Sequence, residues 1–304
     1  MKLLCGSIPL AIILGLGAPA TGAETITGAQ YEAPVDRYGH FALGRPHEYA
    51  RVRATTDAGR TLTLQLPEDE VFEDLAPRLV TLAPGEPREL LTIISGRKSG
   101  SRLAVIRLGR DRLEMGAQSP AIGTPMRWLN PVGVADFDGD GQVEIAAVVT
   151  PHIGGTLKVY RRTGSKLIEI TSLAGFSNHI YGSPQLALSA PVSIDGRIYL
   201  LVPDAARLRL RVIALEGGRL FEVRRCALSA ALTGAMRVIA PSEVSVDLRS
   251  GPQLIVLSDC LVSRVQGSER SPSAFNLAMV ADAPQVPRHG SPSFAARRTS
   301  PRYA

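Results

Sequence analysis

Residues 134–149 read VADFDGDGQVEIAAVV, an acidic and glycine-rich turn that leads directly into an unbroken apolar run. The run contains β-branched residues and is bounded by turn-forming residues, a combination typical of a β-strand entered from a tight turn. The distribution of similar turn and strand pairs along the chain therefore bears directly on the fold class.

The combination of a polar turn and an apolar run recurs along the chain. It is found in PRELLTIISG at 87–96, GQVEIAAVVT at 141–150, DGRIYLLVPD at 195–204 and GPQLIVLSDC at 251–260. We take as the anchor residue of each stretch the one just before its apolar run. The anchors are Glu89, Glu144, Arg197 and Gln253, and they recur at intervals of 55, 53 and 56 residues. So regular a period indicates a repeated supersecondary unit.

Three further short segments of alternating apolar and polar residues accompany most of these runs, so that each unit contains four strands. A weaker unit of the same kind precedes them, and no helical period lies between the strands. The pattern predicts an all-β fold, a β-propeller of about five four-stranded blades within a range of four to seven.

Both ends of the chain differ from the repeat region. Residues 1–23 contain an early lysine, the apolar run IPLAIILGLG and then small residues, which is the layout of a cleaved signal peptide. A retained anchor is the less favoured alternative, since a spanning helix needs about 20 apolar residues. We therefore predict an exported protein, periplasmic or secreted, without a transmembrane domain after signal cleavage.

The C-terminal residues 268–304 are rich in Pro, Ser, Ala and Arg, a composition that predicts a disordered tail, although FNLAMVA at 275–281 is able to supply a strand. The predicted organisation is a signal peptide at 1–23, a linker at 24–35, a propeller at 36–267 and the tail at 268–304. Within the propeller, the units are predicted at 36–76, 77–129, 130–183, 184–241 and 242–267.

The charge distribution argues against nucleic acid as a partner. The net charge is +6, but five of the arginines lie in the tail, and aromatic residues make up 5% of the chain. A nucleic-acid-binding surface concentrates cations on a folded face together with stacking aromatic rings. The scarcity of aromatic residues also makes a surface glycan a less favoured partner than a protein.

The acidic turn has the composition of a calcium-binding loop. Asp136, Asp138 and Asp140 alternate, Gln142 follows with its backbone carbonyl, and Glu144 adds a last carboxylate. Calcium takes six to eight hard oxygen ligands in a forgiving geometry, whereas magnesium requires a small, rigid octahedron. We therefore predict one calcium site, with calcium as the cofactor.

Two alternatives apply to this turn. An EF-hand requires a bidentate acid at its twelfth position, which here is Ala147, and helical flanks, whereas the flanks here have a strand pattern. The EF-hand is therefore disfavoured. A hairpin turn rich in Asp and Gly without metal is the second alternative, and it is less favoured because so many acids seldom crowd one turn unless a cation offsets their repulsion.

The pattern D-x-D-G-D-G-x-x-E, followed by E-I-A-x-x-V and G-x-L-x-V-Y, resembles the FG-GAP and VCBS-type repeats of integrin-α-like β-propellers. The detailed match covers residues 130–173, and other units share only the strand pattern. The resemblance implies metal-ligand roles for Asp136, Asp138, Asp140, the Gln142 carbonyl and Glu144. The corresponding turns of the other units lack the acidic series, so one site is expected rather than one in every blade.

Two cysteines remain after signal cleavage. Cys226 and Cys260 are candidates for a disulfide, the usual outcome in an oxidising compartment. The alternative is a pair of unbonded cysteines on neighbouring strands, because spacing in the sequence does not establish proximity.

Catalytic motifs are scarce. His40, His47, His152, His179 and His289 are scattered without metal-ligand spacing, although His152 and His179 lie in loops that are candidates for one shared surface. We predict a non-enzymatic protein-binding or scaffold module with no assigned catalytic residues. The alternative is a propeller-based hydrolase or lyase. A histidine paired with an acid at the central channel would favour this alternative.

Overall fold

The computed structural model describes residues 23–266, with twenty β-strands and one 3-10 turn in that part of the chain. The strands are β1 (Ile26–Pro34), β2 (Tyr49–Thr56), β3 (Thr61–Gln65), β4 (Glu70–Phe72), β5 (Arg78–Val80), β6 (Glu89–Gly96), β7 (Gly100–Leu108), β8 (Leu113–Gln118), β9 (Leu129–Ala135), β10 (Glu144–Val149), β11 (Gly155–Thr163), β12 (Lys166–Phe176), β13 (Ala190–Ile194), β14 (Arg197–Pro203), β15 (Arg209–Glu216), β16 (Arg219–Ala227), β17 (Leu232–Ala240), β18 (Glu243–Leu248), β19 (Gly251–Val256) and β20 (Leu261–Gln266). The all-β class predicted from the sequence is confirmed.

Three antiparallel four-stranded meanders form the centre of the fold. They are β5–β8, β9–β12 and β13–β16, and in each meander successive strands pair with one another. They span residues 78–118, 129–176 and 190–227, so each overlaps one of the predicted units at 77–129, 130–183 and 184–241, and the last of these ranges also contains β17. The first two meanders are joined by a single parallel bridge between Gln118 and Lys166.

Both faces of the central strands are buried. All six residues of β10 are buried, and alternate side chains enter different cores. Ile145 packs in one cluster with Leu91 of β6, whereas Ala146 packs in another with Leu200 of β14. Because successive side chains point to opposite faces, the β9–β12 sheet lies between the β5–β8 sheet and the β13–β16 sheet. This stacking of four-stranded sheets is a propeller-like arrangement.

The predicted linker at 24–35 is wrong. Residues Ile26–Pro34 form β1, which pairs with β2, and its side chains Ile26 and Tyr31 are buried. Glycine, proline and polar residues in this segment weaken the strand signal, and long-range pairing overrides that local preference. The unit predicted at 36–76 therefore begins earlier, with β1. It extends the sheet of the next unit, because β4 pairs with β6.

The last unit begins earlier than the predicted boundary of 242–267. Strand β17 starts at Leu232, and β17–β19 form a three-stranded sheet. Strand β20 leaves this sheet and pairs with β16 of the preceding one. A disulfide joins Cys226 of β16 to Cys260, in the segment between β19 and β20, with Cα atoms 4.6 Å apart.

The predicted signal peptide, apart from Ala23, and the predicted tail lie outside the described residues. Between residues 23 and 266, no helix is long and apolar enough to cross a membrane.

Candidate functional site

The acidic turn connects β9 to β10 and is wrapped around the carboxylate of Asp136. This carboxylate accepts hydrogen bonds from the backbone amides of Gly139, Asp140 and Gly141 at 2.7, 3.1 and 2.9 Å. Gly139 and Gly141 have φ values of +76° and +86°, a region that residues with a Cβ rarely adopt. The spacing of glycines and acids thus gives the turn its closed shape.

Carboxylates converge on one point inside this turn. Single oxygens of Asp136, Asp138 and Glu144 lie within 4.8 Å of one another. The Asp138 side chain is 8% exposed, and its Oδ1 atom has no hydrogen-bond partner. Glu144 is fully buried at the start of β10, where its Oε2 accepts a hydrogen bond from the Phe137 amide at 3.0 Å.

Arg161 of β11 supplies a cation to this cluster. It is the register partner of Glu144, and its Nε donates to Glu144 Oε1 at 2.8 Å. Its Nη2 also contacts Glu144 Oε1, and it lies 3.0 Å from Asp140 Oδ2 and 3.7 Å from Asp138 Oδ1. Burial raises the pKa of the Glu144 carboxyl, while the Phe137 amide and Arg161 act in the opposite direction.

The predicted ligands divide into two groups. The structure brings Asp136, Asp138 and Glu144 together, and it places Asp140 at the side of the turn, facing Arg161. The Gln142 amide donates to Asp140 Oδ1 at 2.8 Å. The Arg161 guanidinium lies within 4 Å of three carboxylates, and Asp136 adds a fourth carboxylate to the turn, so the turn keeps an excess of negative charge. The all-oxygen donor set and the unpartnered Asp138 oxygen fit a hard cation such as calcium.

An open cleft of about 720 Å³ lies beside the acidic turn. Asp136 and Asp138 line one wall, and Arg197 and Glu216 of the next meander line the other. These two residues form an ion pair of 2.7 Å and are 40% and 49% exposed. The residues that line this cleft have charged, glycine and aliphatic side chains, without an aromatic ring.

A second cluster gathers two of the sequence-predicted histidines around the single tryptophan. Trp128 is buried, and its ring centroid lies 4.7 Å from that of His179 and 6.0 Å from that of His152, to which it is parallel. His152 Nε2 is 2.8 Å from His179 Nδ1, and His179 Nε2 is 2.8 Å from the Ser183 carbonyl.

The hydrogen bonds assign the protons in this cluster. Because the Ser183 carbonyl accepts, His179 carries its proton on Nε2, and its Nδ1 accepts from the His152 Nε2–H group. Burial lowers the pKa of His152 to about 3 and that of His179 to about 4. Both imidazoles are therefore neutral near pH 7, and they act as fixed hydrogen-bonding groups.

A histidine and an acid form a third arrangement next to this cluster. His40 Nδ1 is 2.8 Å from Glu73 Oε1, and Ser95 Oγ donates to Glu73 Oε2 at 2.7 Å. His40 is 7% exposed and Glu73 is fully buried. Tyr181, which is 57% exposed, donates its hydroxyl to the His40 carbonyl at 2.5 Å and covers the pair.

Sequence reasoning missed Arg161, Trp128 and Glu73. Arg161 was recoverable in principle, because a hairpin register that pairs β10 with β11 sets it opposite Glu144. Trp128 and Glu73 come from separate units, and their link, a hydrogen bond of 2.9 Å from Trp128 Nε1 to the Glu73 carbonyl, has no local sequence signal.

Comparisons with known proteins find likenesses among solved structures. No protein-family model matches the chain, and no curated protein matches it. A solved structure from Bacteroides fragilis, described as a 6-phosphogluconolactonase candidate, is 18% identical with a TM-score of 0.37. The match covers 71% of this chain and 63% of the length of that chain. A likeness at that score neither places the protein in a family nor assigns an activity.

The resemblance to FG-GAP and VCBS-type repeats is corrected by these comparisons, because no family model of either kind matches. The physical reason is that an acidic turn between two strands is a local arrangement. It also arises where, as here, an arginine from the neighbouring strand neutralises part of the acidic charge.

Proposed function

We propose that the protein is an exported, calcium-binding β-propeller that acts as a non-enzymatic binding module for a protein partner. The observation that carries the proposal is the convergence of Asp136, Asp138 and Glu144, with an unpartnered oxygen on the almost fully buried Asp138 side chain. Burying such a carboxylate oxygen without a partner is costly, and a bound cation removes that cost.

Asp136, Asp138 and Glu144 would hold the calcium ion, with Asp140 and the Gln142 carbonyl as the further ligands. The ion would neutralise the carboxylates and hold the turn in one shape. The turn forms one wall of the cleft that Arg197 and Glu216 close on the other side, so calcium orders the surface offered to the partner. Opposite charges within the cleft suit a polar protein segment.

Export is supported by the disulfide between Cys226 and Cys260, since disulfides persist in oxidising compartments. The expectation agrees with the charge-then-apolar order of residues 1–23.

Isothermal titration of the purified full-length protein with calcium tests the metal site. We expect one calcium per chain, weaker binding of magnesium, and loss of binding in Asp138→Asn. Asp195→Asn, which alters an exposed acid in the corresponding turn of the next meander, is the matched control and keeps the site. Absence of calcium binding up to about 10 mM, above the range of extracellular calcium modules, contradicts the site.

Capture from the periplasmic and secreted fractions tests the binding module. We expect a protein that is retained by the wild type in calcium, and released by chelator or by Arg197→Glu. Arg112→Glu, at an exposed position 78% accessible, is the control that retains it. Capture that is indifferent to calcium and to Arg197 contradicts the assignment of the cleft.

A hydrolase or lyase is the second candidate, and the buried His40–Glu73 pair beside the exposed Tyr181 is the observation that favours it. A screen of purified protein against chromogenic esters, lactones and glycosides tests it. Turnover that disappears in His40→Gln supports an enzyme, and absence of turnover throughout the screen supports the binding module.

A further inference from the structure

We propose that Arg161 is a built-in counter-cation that competes with calcium for the acidic turn and sets its affinity. This inference rests on the proposed calcium site and adds the residue that regulates it. The side chain comes from β11, outside the turn, and its guanidinium approaches Asp138, Asp140 and Glu144 together.

The contacts show which carboxylate oxygens the Arg161 guanidinium already occupies. Both oxygens of Glu144 are already engaged, one by Arg161 and the other by the Phe137 amide. Asp140 Oδ2 is held by Arg161 at 3.0 Å. Asp138 Oδ1 lies 3.7 Å from Nη2, too far for a hydrogen bond, and is left without a partner. A calcium ion that enters at Asp138 must therefore displace Arg161 to gain Glu144 and Asp140.

Competition of this kind lowers affinity. Two cations close to the same carboxylates repel each other, and the ligands are not free when calcium arrives. Extracellular calcium modules bind with dissociation constants of about 10⁻⁴ to 10⁻³ M. Arg161 places the turn in this weak range, so that the site fills only where calcium is abundant, as in extracytoplasmic fluids.

Calcium titration of the full-length chain in three forms tests the proposal. We expect Arg161→Gln to bind at least tenfold more tightly than the wild type. Arg162→Gln is the matched control, because the adjacent Arg162 is similarly exposed and contacts Glu86 and Glu89 instead of the turn. Its calcium affinity should equal that of the wild type.

The outcomes separate this inference from the proposed function. If the wild type binds calcium and Arg161→Gln binds equally or more weakly, the competition is refuted and the calcium site stands. If neither form binds, both proposals fail. Should Arg161→Gln lack a cooperative melt, Arg161→Lys replaces it, with an expected gain of about threefold because a compact ammonium loses the multiple contacts of the planar guanidinium; unchanged affinity in that variant overturns the inference.

Discussion

Glu144 and Arg161 face each other across β10 and β11, and the corresponding hairpin of the next meander carries the pair with its charges exchanged, as Arg197 and Glu216. The two pairs differ in burial. The Glu144 side chain is 0% exposed, whereas Arg197 and Glu216 are 40% and 49% exposed.

The first prediction concerns the stability that each pair contributes. Glu144→Gln keeps the shape and an acceptor for the Phe137 amide, but it removes the charge that faces Arg161. Removing one partner of a buried pair costs about 3 to 5 kcal/mol, and the remaining contact of Arg161 with Asp140 reduces this to about 2 to 3 kcal/mol. Urea unfolding in the presence of a chelator measures the loss.

Glu216→Gln is the control for this prediction. It breaks the exposed Arg197 pair, which is worth about 0 to 1 kcal/mol. Equal losses in the two variants would show that burial does not decide the strength of these pairs.

The strands of the repeats are predictable from the sequence because their signal is local. β6, β10 and β14 begin at the anchor residues Glu89, Glu144 and Arg197. β1 lacks such a signal, since GAQYEAP combines glycine, alanine and proline, and its pairing with β2 joins residues 15 to 30 positions apart. Pairing of that range depends on the tertiary packing that buries Ile26 and Tyr31.

Within the candidate site, too, the residues of the acidic turn were predictable from local sequence, whereas the residues that come from other strands and loops were not. Asp136, Asp138 and Glu144 lie within one short stretch, and their convergence follows from a closed turn. Arg161 is 17 residues from Glu144, and its role depends on the register of a hairpin. His152 and His179 are 27 residues apart, and the sequence indicated only their loops.

The second prediction concerns the disulfide. Cys226 and Cys260 close a loop across a sequence separation of 34 residues. In the chain-entropy model, a loop of this length stabilises the fold by about 3 to 4 kcal/mol. We expect reductant to lower the free energy of unfolding by that amount in urea titrations. The double variant Cys226→Ala and Cys260→Ala should be equally destabilised and indifferent to reductant, and a continued response to reductant would assign the effect to another group.

The third prediction concerns Gly100 at the start of β7. Its φ is +70°, and a Cβ there would lie 2.3 Å from the Thr124 carbonyl oxygen. Gly100→Ala therefore adds a backbone clash to the strain of a left-handed residue, and we expect a loss of about 3 kcal/mol. Gly85 has a φ of +76°, and a Cβ there would meet no atom within 4 Å, so Gly85→Ala should cost about 1 kcal/mol. Thermal melts of both variants compare them, and equal costs would contradict the clash.

The fourth prediction concerns acid and the histidines beside Trp128. In the unfolded chain both histidines titrate near pH 6.5, whereas burial lowers their folded pKa values to about 3 and about 4. As the pH falls from 6.5, the unfolded chain binds protons that the folded chain does not. Stability should therefore fall with pH, by up to about 1.4 kcal/mol per pH unit for each histidine. Urea unfolding followed by the fluorescence of Trp128, the single tryptophan, measures this slope.

His152→Gln isolates this effect from the titration of carboxylates. The glutamine amide retains a donor for His179 Nδ1 but takes up no proton when the chain unfolds. Between pH 6.5 and pH 4.5 the variant should lose less stability than the wild type, by up to about 1.4 kcal/mol per pH unit. Identical slopes in the two proteins would mean that His152 is protonated in the folded state as readily as in the unfolded chain. The stacking of neutral rings against Trp128 would then not account for the acid response.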